Sequence, residues 1–359
     1  MNPTPPAPLF ALLTRLRAEK LISLETLEGV ATRASPPWWL ATLQALAAWL
    51  ASLFLLSAFY VPVLLIGDSA VARGLGGLVL AAVALHLFQR DGVFVGQVAL
   101  AFSLAAQALM TSALAGDFSR LETDHRMIAA VGASVALGMM IPRSTPIHRT
   151  ACALVALVFG VIASFDAEWL AIQASIVCTL SVCLWLTRNR WAGKRHGAHL
   201  KAVANAASVL ALPAAWLLPN LGGTWFAAHP AATDLSGVSP GAPYHVFTVV
   251  IGVLLLATVF RLTRALPLQA RVLALASAVA LAVMARFAPG LVFAASLFLA
   301  AFHACHRPWA SLALAAAILY LGEYYYSLQA TLLLKAGALA ACGLLLLALR
   351  QWLPRQDRT

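Results

Sequence analysis

The sequence predicts an all-α integral membrane protein, a bundle of about 12 transmembrane helices with both termini in the cytoplasm. Of its 359 residues, 62% are hydrophobic and only 10% are charged, whereas soluble domains are near half apolar and a quarter charged. The mean hydropathy is +0.87. Apolar stretches of about 20 residues, the length that spans a bilayer, follow one another along the chain. Helices are expected because open strands would leave backbone groups unsatisfied in lipid.

The N-terminal residues 1–36 precede the first apolar span and predict a short cytoplasmic helical element. Their first eight residues carry no positive charge, and basic residues from Arg15 to Lys20 interrupt the apolar run that follows. A secretory signal needs a basic start and an unbroken apolar centre, so a cleavable signal is not expected. The transmembrane domain is then predicted over 37–350, with a cytoplasmic tail over 351–359.

Twelve apolar stretches predict the spans in their order along the chain. They cover 38–66, 70–88, 93–115, 126–141, 147–164, 168–186, 201–217, 244–260, 268–287, 291–304, 308–321 and 328–350. Short connectors between the second and sixth stretches favour a compact bundle. The stretches 291–304 and 308–321 are short for a bilayer-crossing helix, so they predict either tilted spans or a re-entrant pair.

The basic residues predict the orientation. With a cytoplasmic N-terminus, 19 of the 24 Lys and Arg residues lie on the inner side, four lie outside, and Lys335 lies within the last span. Such asymmetry follows the positive-inside rule, and it accounts for the net charge of +11 without a nucleic-acid partner. The basic inner loop 187–201 divides the spans six and six, while the outer loop 218–243 contains no Lys or Arg.

Ionisable residues at membrane depth are the first place to look for function. Apart from Glu168 at the very start of the span 168–186, no Asp or Glu falls inside a predicted span, which argues against a proton- or sodium-coupled transporter. Lys335 is the cation that lies farthest inside a predicted span, and its ammonium group either snorkels to the outer surface or binds a carbonyl, a tyrosine hydroxyl or a loop carboxylate. Glu323 is the nearest acid in sequence, but one straight helix would hold the two residues about 18 Å apart.

The candidate binding site combines these two charged residues with three consecutive tyrosines. It consists of Glu323, Tyr324, Tyr325, Tyr326 and Lys335. Tyrosines at a membrane interface can act simply as an aromatic anchor. With one acid and one lysine beside them, they can instead form a polar contact site for a partner or a lipid headgroup.

Two further clusters contain metal-capable side chains. The segment 303–306 holds two histidines and one cysteine at a span end, and it lacks a fourth ligand, so a solvent-facing cluster is favoured over a metal site. The outer loop with Asp117, Glu122 and Asp124 is similar to the acidic loops of membrane glycosyltransferases that bind a divalent ion, but solvated loop charge is the favoured interpretation. We therefore predict no metal, no cofactor and no catalytic residue.

Two segments resemble an uncharacterised bacterial family of polytopic inner-membrane proteins, known only as a domain of unknown function. The first is Pro37-Trp38-Trp39-Leu40, which leads into the apolar stretch 48–56. The second runs from the three tyrosines through Thr331-Leu332-Leu333 to Lys335, and Ala336 departs there from the small polar residue expected. The resemblance implies a multi-spanning membrane protein with a membrane partner that bears a GDYXXLXY motif and is encoded by a neighbouring gene. It implies no activity.

Three functions follow as hypotheses. The favoured one is a non-enzymatic subunit or partner in a membrane complex. The second is a transporter or lipid-handling protein for an anionic small molecule or lipid headgroup, with Lys335 meeting the anion. The third is a membrane transferase that uses Asp117, Glu122 and Asp124 on the outer face.

Overall fold

The computed structural model describes residues 37–66, 69–90, 92–119, 125–141, 144–164, 169–220 and 242–327. These residues form helices, with no strand among them. The helices are α1 (Trp38–Ile66), α2 (Ala70–Leu87), α3 (Val93–Ser119), α4 (His125–Met140), α5 (Pro146–Ala163), α6 (Leu170–Leu186), α7 (Arg188–Trp191), α8 (Gly197–Asn220), α9 (Ala242–Leu262), α10 (Leu268–Val283), α11 (Pro289–His303) and α12 (Arg307–Ser327). Single 3-10 turns follow α9 and α10, at Thr263–Ala265 and Met284–Arg286.

Each of the first eleven predicted spans coincides with one of these helices. Seven described helices are long and apolar enough to cross a membrane, namely α1, α2, α3, α5, α8, α9 and α10, and three shorter apolar helices are α4, α6 and α11. The chain is therefore a helical membrane protein. The predicted N-terminal element, the last span 328–350 and the C-terminal tail lie outside the described residues.

Two of the predicted boundaries differ from the structure. The inner loop 187–201 contains the four-residue helix α7, whose Trp191 is buried, and α8 begins within it at Gly197. The stretch predicted over 308–321 extends to Ser327 in α12. It is thus a 21-residue helix rather than half of a short pair, whereas α11 remains short at 15 residues.

Local sequence signals explain where several helices begin. Pro146 and Pro289 are the first residues of α5 and α11, where the absent N–H costs nothing and the fixed φ angle suits a helix. The Ser69 hydroxyl accepts a hydrogen bond from the Ala72 amide, 3.1 Å away, and so caps α2. Gly92, just before α3, has a φ of 136°, a conformation that glycine adopts without steric cost.

The described chain divides into two compact units. The first contains α1, α2 and α3 as far as Ala113. Within it, α2 and α3 approach closely because Gly77 has no side chain, and a Cβ there would lie 2.7 Å from Cγ of Met110. The Trp49 indole donates a hydrogen bond to the Gln97 side-chain oxygen, 3.1 Å away, which links α1 to α3.

The second unit contains α4 to α12, and its core lies where α6, α8, α9 and α11 meet. Helix α5 packs against α8 and α4, α10 packs against α9, and α12 packs against α11. The largest fully buried side chains of this core are Trp185, Phe247, Ile251, Leu255, Phe293 and Leu297. The same core contains buried alanines, notably Ala204, Ala211 and Ala215 on α8. Small residues of this kind let membrane helices approach each other closely.

Candidate functional site

The predicted binding site lies at the end of α12. Glu323 is half-buried there, and Tyr324, Tyr325 and Tyr326 continue the same helix to its end. The side chains of the three tyrosines, and Lys335 as a whole, lie outside the described residues. The structure thus places Glu323 and the three tyrosine positions on consecutive residues of one helix, and the pairing with Lys335 stays a prediction.

A residue that the sequence reasoning missed anchors this end of α12. The Tyr320 hydroxyl donates a hydrogen bond to the backbone carbonyl of Leu212 on α8, 2.7 Å away. The same ring packs against Gly290 at the start of α11, where an added Cβ would lie 3.2 Å from the Tyr320 Cδ2 atom. Tyr320 precedes Glu323 by three residues, which is about one helical turn. This helical spacing could have placed Tyr320 beside the predicted site, but the partner carbonyl is evident only from the fold.

A second polar cluster lies at the opposite, predicted cytoplasmic end of the same unit. Its centre is Trp185 near the end of α6, whose indole N–H donates to the Ser208 hydroxyl, 2.9 Å away. The Ser181 hydroxyl lies 2.7 Å from that of Ser208, and the Ser208 hydroxyl donates to the Ala204 carbonyl at 2.8 Å. These bonds satisfy the polar atoms of a buried aromatic side chain, as a low-dielectric core requires.

The cluster joins the basic inner loop to the predicted histidine and cysteine segment. The Arg188 guanidinium donates to the Ala304 carbonyl at the end of α11, and its Cζ lies 6.0 Å from the Trp185 ring centroid. The His306 ring lies 4.6 Å from the same indole, between centroids. Arg188 therefore binds a helix C-terminus, where a cation is favoured by the exposed carbonyls.

His306 is the residue of the segment 303–306 that contributes to this cluster. Its Nδ1 accepts a hydrogen bond from the Trp309 amide at 3.4 Å, which caps α12, while the Trp309 indole donates to the Asn205 side chain at 2.8 Å. His306 is half-buried and not fully solvent-facing, whereas His303 and Cys305 are exposed. Burial lowers the pKa of His306 below its ordinary value, and the positive charges of Arg188 and Lys201 lower it further. The neutral form of the ring is therefore favoured in the folded protein.

Metal-binding geometry is absent from the part of the chain that the structure describes, where no three His, Cys, Asp or Glu side chains come together. A buried pair on α5, His148 and Cys152, has its Nε2 and Sγ atoms 3.4 Å apart, and the sequence analysis did not identify it. Both side chains are fully buried, so they form a packed polar contact within the helix. Of the predicted acidic residues Asp117, Glu122 and Asp124, only Asp117 lies within the described residues. Its backbone belongs to the end of α3.

An apolar cleft lies between α9, α10 and α11, with a volume of about 420 Å³. Its walls are formed by Leu255, Val259, Leu262, Thr263, Ala274, Ser277, Ala278, Leu281, Ala295, Phe298 and Leu299. Just beyond its α9 end, Arg264 and Arg271 lie over the ring of Phe260, with Cζ atoms 5.1 Å and 4.7 Å from the ring centroid. From the sequence alone, these arginines served only to predict the orientation in the membrane.

Comparison with known proteins places the chain in a family. No curated protein and no solved structure matches it. Residues 37–356 match the family described as Domain of unknown function (DUF4401), and this range includes both segments on which the sequence resemblance rests. Because the match covers most of the chain, the protein belongs to the DUF4401 family.

Proposed function

We propose that the protein is a non-enzymatic subunit of a membrane complex and that the end of α12 is the surface that binds its partner. The observation that carries this proposal is the hydrogen bond from Tyr320 to the Leu212 carbonyl. Together with the packing of Gly290 against the Tyr320 ring, it fixes the last turns of α12 to the core of the second unit. A docking surface held rigidly in this way loses little conformational entropy on binding.

The chemistry of this surface suits a protein partner. The sequence there has one carboxylate and three consecutive tyrosines, Glu323 followed by Tyr324, Tyr325 and Tyr326. Tyrosine is enriched where proteins bind each other, because its ring provides apolar area and its hydroxyl provides a hydrogen bond. The same amphipathic side chain suits the membrane interface, so a second membrane protein is the expected partner.

The partner we propose is the membrane protein with a GDYXXLXY motif that the family resemblance implies. With a cytoplasmic N-terminus, α12 would run outward from Arg307, and its tyrosines would reach the outer face of a bacterial inner membrane. The 19-to-4 distribution of basic residues supports this orientation through the positive-inside rule.

Co-purification tests the proposal. The full chain is co-expressed with the neighbouring GDYXXLXY protein, extracted in a mild detergent and weighed by native mass spectrometry. We expect a stoichiometric complex, and we expect Glu323→Gln combined with Tyr325→Ala to reduce the bound partner at least about tenfold, the loss typical of interface anchors.

The matched control is Trp169→Ala, which removes an exposed aromatic side chain at the start of α6, on the same predicted face. This variant should retain the partner. The proposal is wrong if the wild-type chain emerges alone under these conditions, or if the control loses the partner as completely as the α12 variant does.

A second candidate function, a lipid-handling protein or a transporter for an anionic compound, is favoured by the cleft between α9, α10 and α11 and by the arginines beside it. In this alternative Lys335 meets the anion. Lys335→Ala would then abolish transport while the protein still inserts normally, and unchanged transport in that variant would exclude this role for Lys335.

A further inference from the structure

We propose that the cleft between α9, α10 and α11 holds one acyl chain of an anionic phospholipid, whose phosphate is bound by Arg264 and Arg271. This inference does not depend on the partner-binding role of α12. The positive-inside rule treats Arg264 and Arg271 like any other basic residues on the inner side. The proposal gives these two arginines a specific ligand.

The shape and surface of the cleft suit a hydrocarbon chain. Its volume of about 420 Å³ lies within the range of small-molecule pockets, roughly 300–1,000 Å³. Along α9 and into the 3-10 turn after it, the wall extends from Leu255 to Thr263, which is about 12 Å of helix. The cleft therefore runs for about 12 Å along the helix axis, the direction in which an acyl chain lies in a bilayer.

The two hydroxyl groups in the wall already donate hydrogen bonds within the protein and need no acceptor on a ligand. Thr263 Oγ1 donates to the Val259 carbonyl at 2.8 Å, and Ser277 Oγ donates to the Leu273 carbonyl at 3.0 Å. Both bonds lie within their own helical segments. The remaining wall residues are apolar, so a chain that carries no hydrogen-bonding group can fill the cleft without leaving a polar atom unsatisfied.

The two arginines lie at one end of this apolar surface. Arg264 directly follows the wall residue Thr263, and Arg271 precedes the wall residue Ala274 by one helical turn. Both guanidinium groups lie over the one ring of Phe260, at 5.1 Å and 4.7 Å from its centroid. Cation–π contact holds such groups in place, and paired guanidinium groups are well suited to bind phosphate oxygens in a bidentate manner.

Helices α9, α10 and α11 carry positive charge that no acidic residue within the same part of the sequence balances. Between residues 235 and 322, which include α9, α10 and α11, the sequence has five arginines and no Asp or Glu. Glu323 is the only acid whose side chain is described, and it lies at the far end of α12. An anionic headgroup would supply the missing counter-charge, and its chain would enter the adjacent cleft.

Lipid binding to the full chain tests this proposal. The protein is reconstituted in phosphatidylcholine nanodiscs, and phosphatidylglycerol is added while thermal unfolding and native mass spectra are recorded. We expect a rise in Tm with phosphatidylglycerol but not with added phosphatidylcholine. In Arg264→Gln/Arg271→Gln the rise in Tm should be at least tenfold smaller. The matched control, Arg286→Gln/Arg307→Gln, removes the same charge from two exposed arginines and should respond as the wild type does.

Two arms separate the acyl chain from the headgroup. Ser277→Leu narrows the cleft and leaves both arginines, so it should weaken phosphatidylglycerol binding. Inorganic phosphate and glycerol phosphate, which lack a chain, should give no comparable stabilisation. If either soluble anion stabilises the protein as strongly as the lipid, the site is a phosphate site and the assignment of the cleft is wrong.

A measurement on the unmodified protein makes the test independent of how the variants fold. Phosphatidylglycerol with a photoreactive group in its acyl chain is crosslinked to the wild-type protein, and the labelled peptides are mapped. We expect labelling of cleft residues such as Leu281 and Phe298. Labelling confined to exposed residues such as Val253 and Val279 would overturn the proposal, as would equal loss of lipid response in the two double variants.

Discussion

The Tyr320 hydroxyl and the backbone carbonyl of Leu212 lie 2.7 Å apart, in the hydrogen bond that joins α12 to α8. The two residues are 108 positions apart in the sequence, so this bond closes a large part of the second unit. Its acceptor belongs to the backbone and cannot be removed by a side-chain substitution. The donor can be removed alone, which makes the contribution of the bond measurable.

Tyr320→Phe should lower the stability of the second unit. The substitution removes the hydroxyl and leaves the ring against Gly290, so the expected loss is that of one interhelical hydrogen bond in a membrane protein, about 0.6–1.7 kcal/mol. Unfolding in a mixed-micelle denaturant series measures it. Ser277→Ala, which removes an exposed hydroxyl bonded within its own helix, is the control, and an equal loss there would contradict this interpretation.

Two glycines on α4 should respond in opposite directions to alanine. A Cβ at Gly132 would lie 2.8 Å from the Phe159 ring on α5, whereas nothing lies within 4 Å of a Cβ at Gly138. Gly132→Ala should therefore destabilise the α4–α5 pair by about 1–3 kcal/mol. Gly138→Ala should stabilise by about 0.5–1 kcal/mol, because alanine favours the helix. Thermal unfolding of the two variants compares them, and a shift of the same sign would count against the packing described here.

Cys305→Gly should stabilise the protein. Cys305 follows α11 with a φ of 53°, and its amide and that of His306 close the helix by donating to the carbonyls of Phe302 and Ala301, the arrangement in which glycine is preferred. Removing the Cβ should gain about 1 kcal/mol. Cys305→Ala keeps the Cβ and should gain nothing, so the difference in Tm between the two variants is the diagnostic measurement.

Acidification should destabilise the protein through His306. Its pKa lies below the ordinary value of 6.5 because of burial and of the charges on Arg188 and Lys201. As the pH falls below 6.5, the unfolded chain takes up a proton before the folded protein does, so the free energy of unfolding decreases. The decrease continues until the lowered pKa of the folded state is passed.

His306→Asn isolates this effect, because asparagine also caps helices but does not titrate. The Tm of the wild type should fall more steeply between about pH 7 and pH 5 than that of the variant, in the range where histidine changes charge. The slopes are compared rather than the absolute values, since the variant also loses the ring contact with Trp185. Parallel slopes would show that His306 is not the titrating group.

The positions of most helices could be predicted because they are apolar stretches of roughly bilayer length, although α4, α6 and α11 are shorter. The end of α12 could not, since Glu323 and the tyrosines break the apolar pattern although the backbone continues to Ser327. Helix α7 was missed because a four-residue helix in a basic loop has no periodicity. Its buried Trp191 donates to the Leu184 carbonyl at 3.2 Å, a contact that only the fold provides.

The contacts between helices could not be predicted from the sequence, for a physical reason. Membrane helices are apolar all round, so periodicity does not show which face meets a neighbour and which meets lipid. The pairing of Arg188 with Ala304 joins residues 116 positions apart. Glu323 was identified as a candidate, but Tyr320 was not, because its acceptor is a backbone carbonyl on another helix.

The buried hydroxyl groups of the core bear on how the protein is made. Ser175, Ser208, Thr258 and Ser296 each donate to a carbonyl four residues earlier in their own helix. These four bonds need no neighbouring helix, so these hydroxyls are satisfied as soon as their own helices form in the bilayer, whereas the Ser181 hydroxyl pairs with Ser208 of another helix. The bonds between spans, such as those made by Trp185 and Tyr320, then form only in a later association step. In α6, α8, α9 and α11, insertion into the membrane can therefore precede helix packing without leaving these four hydroxyls unsatisfied.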